Sequence, residues 1–97
     1  MLKKMSDGWG RETHVRIRMK EQNRSRMMEH ILNSSFGLTP AEARIALGIA
    51  RGDTLASVAD AHGIAMTTAR TQLQSVFIKT KTHRQAELVA LLARTLP

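Results

Sequence analysis

Three observations predict an all-α fold for this chain of 97 residues. The only aromatic side chains are Trp9, Phe36 and Phe77, so the core must come from Leu, Ile, Val, Ala and Met, an inventory that favours helices over sheets. Apolar residues recur mostly at three- and four-residue spacing. Threonine caps and glycine stops punctuate residues 36–97 at helical intervals. The length suits one domain, since a folding unit usually needs about 50 to 200 residues. A composition 42% apolar and 24% charged is that of a chain that folds.

The first 35 residues carry eight basic and four acidic side chains and a Gly-Trp-Gly at Gly8 to Gly10. Met1 to Thr13 show no folded pattern and are expected to be disordered. Val15, Ile17 and Met19 alternate with Arg16, Arg18 and Lys20 as in a strand, but no partner strand is visible and an isolated strand is not stable. Met27, Met28, Ile31 and Leu32 fall on one face of a helix predicted over 19–33. The expected organisation is thus a basic N-terminal segment, 1–35, with one helix, followed by a four-helix domain over 36–97.

Within that domain, Thr39-Pro40-Ala41-Glu42 is a capping box with proline at the first helical position, where its absent N–H costs nothing. It opens a helix predicted from Pro40 to Arg51, which Gly52 stops by taking a left-handed conformation. Asp53 or Thr54 caps a short helix, Leu55 to His62, ended by Gly63. A third segment, Met66 to Lys79, places Leu73, Val76 and Phe77 on one buried face. Thr82-His83-Arg84-Gln85 reads as a second capping box, opening a last helix from about His83 to Leu96.

Charge narrows the function. Fifteen Lys and Arg against eight Asp and Glu give +7 and a pI near 11.2, which favours polyanionic partners. With no cysteine there is no disulfide or thiolate site, as suits a reducing cytosol. No apolar run approaches the roughly 18 residues of a membrane span, and no apolar stretch follows basic Met1 to Lys4 as in a signal peptide. A cytoplasmic protein with no membrane partner is expected.

Two short helices joined by a tight glycine turn, the second one basic, are the parts of a helix-turn-helix, whose second helix enters a major groove. Opposite Leu73, Val76 and Phe77 stand Thr67, Arg70, Thr71 and Gln74, all hydrogen-bonding and none acidic. Arginine can bond guanine O6 and N7 together, glutamine can pair with adenine, and threonine offers a hydroxyl or a methyl. Lys79, Lys81 and Arg84 follow, so Met66 to Gln85 holds four cations and no anion, which suits a phosphate backbone.

These residues resemble the LuxR-type (GerE-like) helix-turn-helix domain over about 60 positions without a gap. The match runs through Leu38-Thr39-Pro40-Ala41-Glu42, Gly52, His62-Gly63-Ile64, Thr68-Ala69-Arg70-Thr71-Gln72 with Leu73, Lys79, and Arg84-Gln85-Ala86-Glu87-Leu88. The resemblance implies transcription regulation by sequence-specific binding to double-stranded DNA. It implies base contacts from Arg70, Thr71 and Gln74, and phosphate contacts from Thr67, Thr68, Gln72, Lys79 and Lys81. It also implies a homodimer through the last helix, with Leu88, Val89 and Leu92 at the interface. Regulators of the family usually carry an upstream receiver or autoinducer-binding domain, for which 35 residues are too few. A separate partner regulator is a further expected possibility.

Departures from the family pattern are Ala46 and Gly48 in place of leucines, Ala69 in place of valine, His62 in place of leucine, and Ala65 in place of a serine cap. The volume lost must be made up by Leu47, Ile49 and Leu55, or by Met27, Met28, Ile31 and Leu32 from the N-terminal helix. Thr67 is a substitute cap.

Catalysis is not expected. His14, His30, His62 and His83 lie on different segments, and neither a metal-ligand spacing nor a glycine-rich nucleotide loop is present, so no cofactor, metal or small-molecule substrate is expected. His62 reads as a structural residue at a helix end. The rival is a protein-interaction module that keeps the fold but pairs with another regulator. Its support is the net charge of only +3 in residues 36–97, from seven cations and four anions, together with Ala69 and Gln72. A weaker idea makes the arm with Lys3, Lys4, Arg11, Arg16, Arg18 and Lys20 a nonspecific tether; a solvated tail is preferred.

Overall fold

The computed structural model describes residues 23–97, which are all-helical. The expectations for Met1 to Thr13, for the alternation from Val15 to Lys20 and for the first residues of the N-terminal helix lie outside the described residues. Helix α1 occupies 23–36, followed by α2 (Pro40–Ala50), α3 (Leu55–Ala61), α4 (Met66–Thr80) and α5 (Gln85–Thr95). Helix α1 runs three residues beyond the predicted end, across the expected boundary at 35/36, and its Leu32 is wholly buried in the same core as the other helices.

Helix α2 is the centre of the fold. It begins as predicted: the Glu42 N–H donates to Thr39 Oγ1 at 3.2 Å, and the Thr39 N–H donates to Glu42 Oε1 at 2.9 Å. Ala43, Ile45, Ala46, Leu47, Gly48 and Ile49 are all buried, because α3, α4 and α5 pack against α2 from different sides. Leu32, Leu38, Val76, Leu88 and Leu92 complete the core around Ile45 and Ile49.

Leu47 and Ile49, expected to make up the volume of the small residues of α2, are buried in the same core, and Leu55 packs against it. At Gly48 α3 also comes close. A Cβ at Gly48 would run into Cγ2 of the buried Val58 and lie 3.2 Å from its Cγ1. Ala46 and Ala69, both fully buried, are part of the same core. From α1, Leu32 enters the core and Met28 packs against it, whereas Met27 is 50% exposed.

The helix ends share one device. After α2, the Gly52 N–H donates to Ile49 O and the Asp53 N–H to Gly48 O, both at 3.0 Å, with Gly52 at φ 93°. After α3, Gly63 N–H donates to Asp60 O at 3.1 Å and Ile64 N–H to Ala59 O at 2.9 Å. Thr54, not Asp53, caps α3 through its Oγ1, at 3.0 Å from the Ser57 nitrogen, and Asp53 pairs with Arg51. After α4 the same pair of bonds forms from Lys81 and Thr82 to Ile78 and Phe77, and here the left-handed residue is Lys81, at φ 57° and ψ 39°.

Two expectations are corrected here. Thr82 opens no capping box: its N–H still closes α4 on Phe77 O, and its hydroxyl lies 2.9 Å from that of Thr80. Helix α5 therefore starts at Gln85 with Arg84 at its cap position, and Glu87 Oε1 accepts from the His83 N–H at 3.1 Å. Nor does Thr67 substitute for the missing serine, because no side chain caps α4.

Glu42 also ties α4 down. Its Oε1 lies 2.7 Å from Lys79 Nζ, its Oε2 accepts from Ser75 Oγ, and Lys79 Nζ donates a second bond to Gly37 O at 3.2 Å. Burial pushes the Glu42 carboxyl up, but the bonds from Lys79, Ser75 and the Thr39 N–H outweigh it and bring the pKa from 4.5 down to about 2.

Two predictions follow from this packing. Alanine at Gly48 gains about 1 kcal/mol of helix propensity but overpacks Val58 at a cost of about 1–3 kcal/mol, so Gly48→Ala should lower the urea midpoint. Val58→Ala should also be destabilising, yet the double variant should lose less than the sum; additive losses would mean that the two positions do not meet. For Glu42, a folded pKa below the unfolded one contributes stability that is complete above about pH 4.5 and disappears as the pH falls towards 2. Glu42→Gln should therefore cost about 1–3 kcal/mol at neutral pH and flatten the melting temperature's dependence on pH between those limits, followed by circular dichroism. An unchanged acid slope would place the titration elsewhere.

Candidate nucleic-acid interface

Helix α4 packs against α2 and α3, with Ala69, Val76 and Thr80 buried and Leu73 and Phe77 half-buried beside them. Thr80 satisfies its hydroxyl by donating to Val76 O at 2.7 Å. Helical geometry then turns the opposite side outward, and Thr67, Thr68, Arg70, Thr71 and Gln74 are all exposed. The turn from His62 to Ala65, pinned by Gly63 at φ 64°, sets α4 against α3. His62 ends α3 with its backbone N–H on Val58 O and is exposed, in keeping with the structural place expected of it.

The outward residues form one surface. Arg70, Thr71, Gln74, Ser75 and Ile78 border a shallow depression, and Gln74, Phe77, Ile78, Lys81, Thr82 and His83 border the next along the helix. The Thr71 hydroxyl donates to Thr67 O at 3.0 Å, which leaves its methyl and its acceptor lone pairs for a ligand. Arg70, Lys81 and Arg84 have no acidic partner within 4.0 Å among the described residues, whereas Arg44 and Arg51 pair with Glu29 and Asp53. No acidic residue occurs from Met66 to Gln85. The surface thus combines the uncompensated Arg70 and Lys81 with amide and hydroxyl groups, the chemistry that meets phosphates and base edges.

Five expected site residues are placed differently. Lys79, expected on phosphate, turns towards α2 and holds Glu42, so its charge is already matched. Gln72 is half-buried beside Ala41, Arg44, Ile45, His62 and Ile64, around a pocket of about 100 Å³, and its Oε1 is buried without a donor. Leu88 and Leu92, expected at a dimer interface, are 0% exposed, and Val89 is half-buried against the same core. Exposing the two leucines to a second copy would require opening the fold.

Ile78 was not among the expected site residues. It is 71% exposed, although an isoleucine in an apolar-periodic segment reads as core. Its position four residues after Gln74 and seven after Thr71 carries the information, because that spacing puts it on the outward stripe. No spacing rule connects Glu42 with Ser75 or Lys79, 33 and 37 residues away.

Among the described residues, no three His, Asp or Glu side chains stand together as a metal site, and no helix is long and apolar enough to cross a membrane. Compared with known protein families, with curated proteins and with solved structures, the chain matches none.

Proposed function

We propose that the chain is a transcription regulator that binds duplex DNA with α4 in the major groove. The observation that carries this reading is the acid-free outward face of α4, where Arg70, Thr71 and Gln74 project from a helix whose other side is fixed to the core. Arg70 and Gln74 suit base edges, and Thr71 offers a methyl or an acceptor. Thr67 and Thr68 at the start of the helix, and Lys81 and Arg84 beyond its end, suit phosphates on either side of the groove. The resemblance of residues 37–92 to LuxR-type helix-turn-helix domains supports the same docking. Lys79, Gln72, Leu88 and Leu92 have no part in the contact.

The protein-docking alternative draws support from the exposed Ile78 and from the low net charge of residues 36–97. The unmatched cations around that residue favour DNA, since phosphates supply them with partners and an apolar protein surface does not.

Selection from a random duplex pool at two salt concentrations tests the proposal, with an enriched sequence and steep weakening by salt as the expected result. Absence of binding at low salt by folded protein would refute it. On the enriched duplex, Arg70→Ala should cost about 1–3 kcal/mol and relax preference at one base pair, while an equal loss on every sequence would make Arg70 a phosphate contact. Lys81→Gly separates folding from binding, because glycine accepts the left-handed conformation that lysine holds at φ 57°. It should leave the melting temperature unchanged or higher, weaken all sequences alike, and reduce the salt slope by about 1. A full salt slope would remove Lys81 from the interface.

A further inference from the structure

We infer that Ile78 reads the C5-methyl group of a pyrimidine in the major groove. The inference rests on the DNA-binding reading above and goes beyond it by assigning an apolar contact to a face otherwise read through hydrogen bonds. Among the described residues, Met27 and Ile78 are the two exposed large hydrophobic side chains, and Ile78 is the more exposed, at 71%. A single apolar side chain on a surface needs no explanation, but the surroundings of this one are specific. It borders both depressions of the α4 face, sharing one with Arg70, Thr71 and Gln74 and the other with Gln74, Phe77 and Lys81.

The chemistry of those neighbours selects the occupant. Arg70 and Lys81 stand before and after Ile78 without acidic partners among the described residues, so an occupant with negative charge on its flanks and apolar surface at its centre would complement the isoleucine and both cations. Duplex DNA offers that combination in the major groove, where phosphates line the edges and the C5-methyl of thymine is the apolar group on the floor. Ile78 follows Gln74 by one helical turn, so a base pair met by Ile78 lies beside the one met by Gln74. The half-buried Phe77 ring and the Ile78 side chain together form the apolar part of the second depression. Thymine and 5-methylcytosine present the same methyl at the same place, and both satisfy the geometry.

The test uses the full chain and the duplex enriched from the random pool. Each thymine is replaced in turn by uracil, which removes only the methyl, and binding is compared for the wild-type protein and Ile78→Ala. Because Ile78 is exposed, the alanine variant should melt at the wild-type temperature. At one thymine of the site, wild-type binding should weaken about fourfold, as expected for one methyl returned to water, while Ile78→Ala shows no penalty there. At that position 5-methylcytosine in place of cytosine should strengthen wild-type binding by a similar factor. A larger gain for 5-methylcytosine than for thymine assigns the contact to methylated DNA, and the reverse assigns it to thymine. Specific duplex binding in which both proteins respond alike to every uracil would overturn the inference and leave the roles of Arg70 and Gln74 standing. Failure to enrich any duplex would overturn both, and capture of another protein lost in Ile78→Ala would then identify the face as a protein-docking surface.

Discussion

The carboxylate of Glu42 is the point through which the orientation of α4 is fixed. One oxygen closes the cap at the start of α2 and accepts from Lys79, and the other accepts from Ser75, so a single side chain ends one helix and grips another two-thirds of the way along. Lys79 extends the grip to the turn after α1 through Gly37 O. The net of these bonds holds the carboxyl ionised despite its burial. The bonds reach α4 along one edge of its outward surface, where Ser75 borders the same depression as Arg70, Thr71, Gln74 and Ile78.

A close approach of α3 to α2 accompanies that grip. Gly48 lets Val58 sit where a side chain would otherwise stand, and the wholly buried Ala46 and Ala69 keep the centre of the core thin. A core of this kind has few aromatic side chains to distribute, and it depends on complementary surfaces rather than on bulk. Gly48, which looks like lost volume in the sequence, is thus the means by which α3 comes near α2. It does cost latitude, since little room remains there for a larger residue.

Much of the fold was legible because its marks are local. The capping box from Thr39 to Glu42 and the left-handed stops at Gly52 and Gly63 each involve residues three to five positions apart and stand where the sequence placed them, and the cap of α3 is Thr54, one of the two residues the sequence offered. Local chemistry failed where one segment was asked to serve two helices. Thr82 carries the pattern of an N-cap, yet it is still engaged in closing α4, and the stop before it is a lysine that the usual preference for glycine does not predict. The candidate site was legible as a face, through the three- and four-residue recurrence of Thr67, Arg70, Thr71 and Gln74. The individual roles of its neighbours were not.

The sequence by itself determined the all-helical class, the limits of α2, α3 and α4 to within a residue, and the polar, acid-free character of the outward side of α4. These follow from hydrogen bonds and periodicities that the chain expresses within one or two turns. Only the tertiary structure decided that Lys79 turns inward to Glu42, that Gln72 lies against α2, that Leu88 and Leu92 belong to the core, and that Ile78 faces solvent. Apolar residues on an amphipathic helix look alike whether they meet their own core or a partner, and a lysine looks alike whether it meets a phosphate or a carboxylate. The difference lies in what the rest of the chain brings to that face, and for Lys79 that is a carboxylate 37 residues earlier.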